Sequence, residues 1–216
     1  MSSKPHILTI DEIRQAEKHL GTRCPVMRRL VKAHGRCPIP SRDVRPFQTL
    51  ARSIIGQQLS ASAAASIERK VRGVITSFTP EGFLFAPLGD LRAAGLSAAK
   101  ARYVLELARL TDDGTLDFDD LSHLPDEDVV ARLTELPGIG RWTAQMFLIF
   151  GLKRSDVLAL GDAGLKRSVK QLYGDHVDLG DISAKWSPYC SVASWYLWQH
   201  LDAPARRPAA TQTRNL

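Results

Sequence analysis

The sequence predicts an all-α protein, and three observations carry that expectation. Apolar residues recur at three- and four-residue spacing, as Val129, Val130 and Leu133 do. Helix-start signals recur with them: Thr9-x-x-Glu12 is a capping-box pattern, and Ser97 stands just ahead of another periodic stretch. Alternating apolar strands are missing, apart from one ambiguous stretch at 72–78, RGVITSF.

The elements follow in order. The capping box opens a first helix, and a second covers 23–34. GRCPIPSRDVRP at 36–46 is a polar, Pro-containing connector. Residues 46–57 and 61–77 read as two helices joined near Gln57–Ser60. Thr79-Pro80-Glu81 starts a short helix, since Thr is a good cap and Pro fits the first helical position. Ser97 caps a helix over 98–111, and DDGTLD turns the chain after it. Helices 126–135 and 140–152 flank a Pro-Gly turn, 163–173 follows Asp162, and the last helix covers 187–201. The tail at 203–216, APARRPAATQTRNL, is Pro/Ala/Arg-rich and reads as a disordered segment that adds non-specific attraction to a polyanion.

Composition narrows the class. A chain of 216 residues buries one substantial core or two small lobes. Its net charge is +6 and its isoelectric point is near 9.4, which suits a polyanionic partner. The three cysteines, Cys24, Cys37 and Cys190, are dispersed and odd in number. They form neither metal-ligand spacing nor a disulfide framework, so a reducing compartment is expected. No apolar run reaches the roughly 18 residues of a membrane span, and MSSKPHILTIDE is no signal peptide. The expectation is a monomeric, membrane-free protein of the cytoplasm, at the nucleoid in a bacterium or in the nucleus of a eukaryote.

The most informative segment is Leu136-Pro137-Gly138-Ile139-Gly140-Arg141-Trp142-Thr143-Ala144. Pro137 fixes its own φ and biases Leu136 away from helix, so the first helix stops there. Gly138 and Gly140 lack a Cβ, which lets the turn adopt positive φ and approach a ligand closely. The next helix opens with N–H groups that have no intrahelical partner and carry partial positive charge, which makes an anion site. In a basic protein the anion is a DNA phosphate, with Gly138, Gly140, Arg141 and Thr143 as the binding residues. Pro-Gly corners also serve as ordinary helix turns, so this reading depends on the flanking residues.

LPGIGRWTAQ resembles the helix-hairpin-helix of the DNA glycosylase superfamily that pairs this hairpin with a downstream aspartate. DVLALGDAGLKR at 156–167 resembles the segment that carries the aspartate. IIGQQLS at 54–60, GLSAAKA at 95–101 and WSPYCSVA from Trp186, running on to Trp198, agree with the same family. The similarity spans about residues 25–200 and points to the 3-methyladenine DNA glycosylase II branch, in its short form. It implies two helical lobes, one from 1–44 plus 155–202 and one from 45–154 that ends in the hairpin at 126–152. The active site would lie in the cleft between them.

The resemblance assigns Asp162 as the catalytic carboxylate; an aspartate there also serves as an ordinary helix cap. Trp142 stands where the bifunctional branch has its Schiff-base lysine, which implies base release without strand cleavage. Trp142, Met146 and Trp198 match base-pocket positions, with core packing as the plain alternative for Trp142. Met146 replaces a tyrosine of some relatives, and Cys190 stands where an arginine is common. Gln58 and Leu59 match the wedge that fills the gap left by a flipped base. A single carboxylate with no assigned acid suits a substrate that is already cationic, such as 3-methyladenine or 7-methylguanine in duplex DNA. No cofactor is required. Three cysteines cannot ligate the four-cysteine iron–sulfur cluster of other branches. Carbonyls of Thr134, Leu136 and Ile139 are candidates for a structural Na or K ion. The competing classes are a non-catalytic DNA clamp and a glycosylase for etheno or deaminated bases.

Overall fold

The computed structural model describes residues 6–202 apart from Arg42 and Val44. The tail expected to be disordered lies outside the described residues. Among those described there are thirteen α-helices, one 3-10 turn at Ile39–Ser41 and an isolated bridge between Ile7 and Arg154. The all-α expectation is met. The helices are α1 (Glu12–Arg23), α2 (Pro25–His34), α3 (Pro46–Gly56), α4 (Ala61–Arg72), α5 (Pro80–Leu84), α6 (Leu88–Ala93) and α7 (Ala98–Asp112). They continue as α8 (Phe118–His123), α9 (Asp126–Thr134), α10 (Arg141–Phe150), α11 (Ala163–Tyr173), α12 (Leu179–Ser183) and α13 (Cys190–Asp202).

Local chemistry explains the boundaries. The Thr9–Glu12 capping box forms: Thr9 N donates to Glu12 Oε2 at 2.9 Å, and Glu12 N donates to Thr9 Oγ1 at 3.3 Å. Ser60, Thr79 and Ser97 each accept a backbone N–H three residues on, starting α4, α5 and α7. The expected helix at 23–34 begins at Pro25, because Cys24 is extended and Pro25 fills the first helical position. The expected helix at 61–77 stops at Arg72, and 72–78 is turn, not strand. The last helix starts at Cys190, not 187, where Asp156 Oδ1 accepts Cys190 N. The short helices α6, α8 and α12 were not expected; at five or six residues they show too little periodicity to be read.

Two sets of helices pack internally. In one, α3 packs on α4, α7 and α10, α7 also receives α5 and α6, and α9 lies on α10. In the other, α13 packs on α1, α2 and α11, and α11 receives α12. Helix α13 is apolar nearly all round and is buried from Cys190 to Leu197, as befits a central helix. Tyr196 on it donates its hydroxyl to Glu17 Oε1 at 2.9 Å and Gly35 O at 2.8 Å.

The segment between α10 and α11 joins the sets. Leu8 N donates to Lys153 O at 2.7 Å and Ser155 N to His6 O at 3.0 Å, strapping the start of the chain to it. The buried Arg154 sends Nη2 to Ser122 O and Leu124 O at 2.8 and 3.0 Å, with its Nε 3.5 Å from Asp126. Gly151 ends α10 with no room for a side chain: a Cβ there would lie 2.6 Å from both Phe147 O and the Phe147 ring. Gly151→Ala is therefore expected to cost about 1–3 kcal/mol through overpacking, read as a lower midpoint in urea unfolding.

Candidate active site

The hairpin between α9 and α10 is built as its residues dictate. Leu136 N donates to Leu133 O and Ile139 N to Leu136 O, each at 3.1 Å, closing a tight corner around Pro137. Gly138 has φ of +83°, and a Cβ there would fall 2.2 Å from Tyr103 Cδ2. Glycine is thus required twice, by its dihedral and by the ring under the turn. Ile139 is buried and anchors the corner. Gly140 precedes α10 in an extended conformation, and no side chain caps the helix. A Cβ on Gly140 would meet nothing within 4 Å, so the backbone entering α10 faces open space. The start of α10 is therefore an approachable anion site.

Two residues expected to bind phosphate behave differently from the glycines. Arg141 turns its Nη2 to both carboxylate oxygens of Glu127, at 2.7 and 2.9 Å, in an exposed ion pair. Thr143 is 3% exposed, so its side chain is not on the surface. Its Oγ1 lies 3.5 Å from Gln57 Nε2, leaving only its place in the first turn of α10 for phosphate contact.

The α3–α4 junction is tied to this corner. Gln57 Nε2 donates to Gly138 O at 2.7 Å, spanning 81 residues of sequence. Lys100 Nζ donates to Ile55 O at 2.9 Å and Gln57 O at 2.6 Å, satisfying carbonyls left open at the end of α3. Its partial burial lowers the lysine pKa from the ordinary value. Gln58 then takes a φ of +58°, in the left-handed region, and projects with Leu59, which is 38% exposed. Both wedge candidates stand on the surface. The brace that Gln57 supplies is not legible in IIGQQLS, because its partner lies 81 residues away in sequence.

Asp162 begins α11 and is only 8% exposed. Its Oδ1 accepts Leu165 N at 2.7 Å, the expected cap, and Trp198 Nε1 at 3.2 Å. Its Oδ2 accepts Trp142 Nε1 at 2.7 Å. Helices α10, α11 and α13 therefore meet on one carboxylate. Gly164 makes the closeness possible: a Cβ there would sit 3.0 Å from Asp162 Oδ1 and 3.5 Å from Trp198 Cδ1. The Trp198 ring packs against Phe150, with centroids 5.8 Å apart. Gln145 Nε2 donates to Leu158 O at 3.3 Å, holding the segment before Asp162 against α10.

The nearest competing carboxylate is occupied elsewhere. Asp156 accepts Ser187 Oγ at 2.7 Å and Cys190 N at 3.1 Å, a structural role at the start of α13. Cys190 is buried, and that burial raises its thiol pKa above the ordinary range. Trp142 is 45% exposed and walls a cavity of about 420 Å³ with Gln145, Leu148, Leu158, Leu160 and Gly161. Asp126 also borders it, its carboxyl pKa raised by burial against the opposing effect of Arg154. Met146 is buried in the core and does not line this cavity.

Trp142, Trp198 and Asp162 are thus brought together. A carboxylate held between two indole N–H groups suits a developing or existing positive charge. An indole is no nucleophile, and the neighbouring Arg141 stays protonated, so no amine occupies the position that could attack a sugar.

The model of the HhH-GPD superfamily of base excision DNA repair proteins matches residues 51–182. A putative DNA-3-methyladenine glycosylase of Bacillus subtilis is 35% identical over 177 residues, covering 74% of this chain and 60% of that protein. DNA-3-methyladenine glycosylase 1 of Schizosaccharomyces pombe is 30% identical over 215 residues, covering 92% of this chain and 91% of that protein. Among solved structures, the Schizosaccharomyces pombe 3-methyladenine DNA glycosylase in complex with abasic DNA superposes with a TM-score of 0.77 at 30% identity, covering 87% of this chain and 97% of that one. A DNA-3-methyladenine glycosidase of Bacillus halodurans gives 0.73 at 33% identity, covering 92% and 93%. The family match takes in the hairpin, the aspartate and the helices that carry them, and the chain belongs to the HhH-GPD superfamily of base excision DNA repair proteins.

Proposed function

We propose that this protein is a monofunctional DNA glycosylase for N-alkylated purines, of the 3-methyladenine and 7-methylguanine class, acting on duplex DNA in base excision repair. The observation that carries the reading is the Asp162 carboxylate, at the start of α11, held between the indole N–H groups of Trp142, in the first turn of α10, and of Trp198. The names of its relatives support the alkylated-base class, and the abasic DNA bound by the Schizosaccharomyces pombe enzyme supports DNA as partner.

The steps follow from the geometry. The uncapped start of α10 receives a backbone phosphate through its N–H groups at Gly140 and Arg141. Arg141 exchanges Glu127 for phosphate as the two approach, since both are exposed. The target nucleotide turns out of the stack, and Leu59 with Gln58 fills the space it leaves. The glycosidic bond breaks with its electron pair going to the base, so an N-alkylated cationic purine leaves neutral. Positive charge passes to the sugar and is stabilised by Asp162. Water adds to the sugar C1′ and loses a proton, giving an abasic site.

A monovalent cation, Na or K, on the hairpin belongs to the same proposal. Thr134, Leu136 and Ile139 would hold it by their carbonyls; these are neutral oxygens of one turn, and Leu136 O has a second lone pair beyond its bond to Ile139 N. When bound, the ion would add positive charge beside the phosphate.

Asp162→Asn keeps a good helix cap and removes the charge. It is expected to lower methylpurine release from methylated duplex DNA by at least ~10²-fold while leaving DNA binding intact. Retained release by the variant would overturn the carboxylate mechanism. Strand cleavage after release should need alkali; a covalent adduct trapped by borohydride would instead mark a lyase.

Binding to DNA should weaken with salt at a log–log slope of roughly −0.9 per phosphate neutralised. A flat salt response in an electrophoretic or fluorescence titration would contradict the phosphate-gripping hairpin.

Gln57→Ala removes the link between the wedge loop and Gly138 O. Its expected effect is about a tenfold loss of excision rate, the scale of one hydrogen bond of this kind. Fluorescence of 2-aminopurine beside the lesion should report reduced flipping in the same variant, and an unchanged signal would separate Gln57 from that step.

A further inference from the structure

The three donors on Asp162 divide its oxygens unequally. Oδ1 takes both the cap bond from Leu165 N at 2.7 Å and Trp198 Nε1 at 3.2 Å. Oδ2 takes only Trp142 Nε1, at 2.7 Å. An ionised carboxylate offers about four acceptor sites, two on each oxygen. Both sites of Oδ1 are therefore filled and one site of Oδ2 remains.

Resting on the glycosylase reading above, we propose that Oδ2 is the oxygen presented to the sugar and that Trp142 is a positioning residue. Its indole N–H sets the direction of the remaining Oδ2 lone pair. Burial does not force this bond. Trp142 is 45% exposed, so its ring is not a fully buried indole, whose N–H must find a protein partner. The bond is short and made to a charged acceptor, the stronger kind of hydrogen bond.

Position in the helix gives the contact a second consequence. Trp142 is the second residue of α10, whose N-terminus follows the uncapped Gly140. Its main-chain N–H belongs to the turn that receives the phosphate, and its side-chain N–H holds the carboxylate. One residue thus joins phosphate capture to carboxylate orientation. The Trp198 bond does something else: with Leu165 N it fixes Oδ1 and the cap, so losing Trp142 frees Oδ2 to swing about that anchor.

The decisive variant carries 3-benzothienylalanine at position 142, an isostere of tryptophan in which sulfur replaces the N–H. The ring, its exposure and its stacking face are kept; only the donor is lost. Single-turnover release of methylpurine from duplex DNA should fall by about 10- to 100-fold, the cost of misplacing a catalytic group by up to 1 Å. Affinity for lesion DNA should stay within about twofold, because the lost contact acts in the transition state. Trp142→Phe should repeat the split with an ordinary residue. In the DNA-free protein, the indole N–H resonance of Trp142 should shift in Asp162→Asn.

An isostere with the wild-type rate would overturn the proposal, and so would a loss of affinity at unchanged rate, which would make Trp142 a stacking surface only. An unmoved indole resonance would overturn it without reference to activity. Wild-type protein that releases no methylpurine would sink the glycosylase reading itself, and this proposal with it. Wild-type release with an unaffected isostere would sink this proposal alone.

Discussion

The carboxylate of Asp162 is the point on which the rest of the site depends. Three helices reach it from separate parts of the chain, α10 through Trp142, α11 through its own first turn and α13 through Trp198. At 8% exposure the group has given up most of its water, and burying a carboxylate is costly unless donors replace that water. The protein supplies three. The same bonds that make the buried charge tolerable also aim it, so stability and chemistry are served by one arrangement. Asp162 is a helix cap and a candidate catalytic group at once.

The hairpin works by what it lacks. Gly138 bends the chain over Tyr103 where no side chain fits, and Gly140 leaves the entry to α10 bare. An ordinary N-cap would fill that place with its own oxygen, competing with a phosphate for the same N–H groups. Rigidity comes instead from behind the turn, where Gln57 holds Gly138 O and Lys100 holds the end of α3. The α3–α4 junction and the hairpin corner therefore share a frame.

Charge is placed economically. The net charge of +6 provides general attraction to a polyanion, and two cations near the hairpin are engaged. Arg141 pairs with Glu127, and Lys100 is spent on carbonyls. The uncapped main-chain N–H groups at the start of α10 are oriented donors that cost no side-chain entropy to order. Trp142 contributes an N–H donor to the carboxylate.

The sequence by itself determined the class of the protein. Helical periodicity, Thr9-x-x-Glu12, Ser60, Thr79 and Ser97 act through neighbours a few residues away, so the helices they start were legible. LPGIG was legible because proline and glycine act on their own dihedrals, and Asp162 because a motif surrounds it. Short helices such as α6, α8 and α12 lacked the length to show a period, and the second, fourth and last helices each have an end two to five residues from the one expected. Only the tertiary structure decided which donors face the carboxylate, that Arg141 pairs with Glu127, that Met146 is buried in the core and that Gln57 braces the hairpin. These contacts join residues 14 to 81 positions apart, and a side chain's partner at such range is set by how helices pack, which no local pattern encodes.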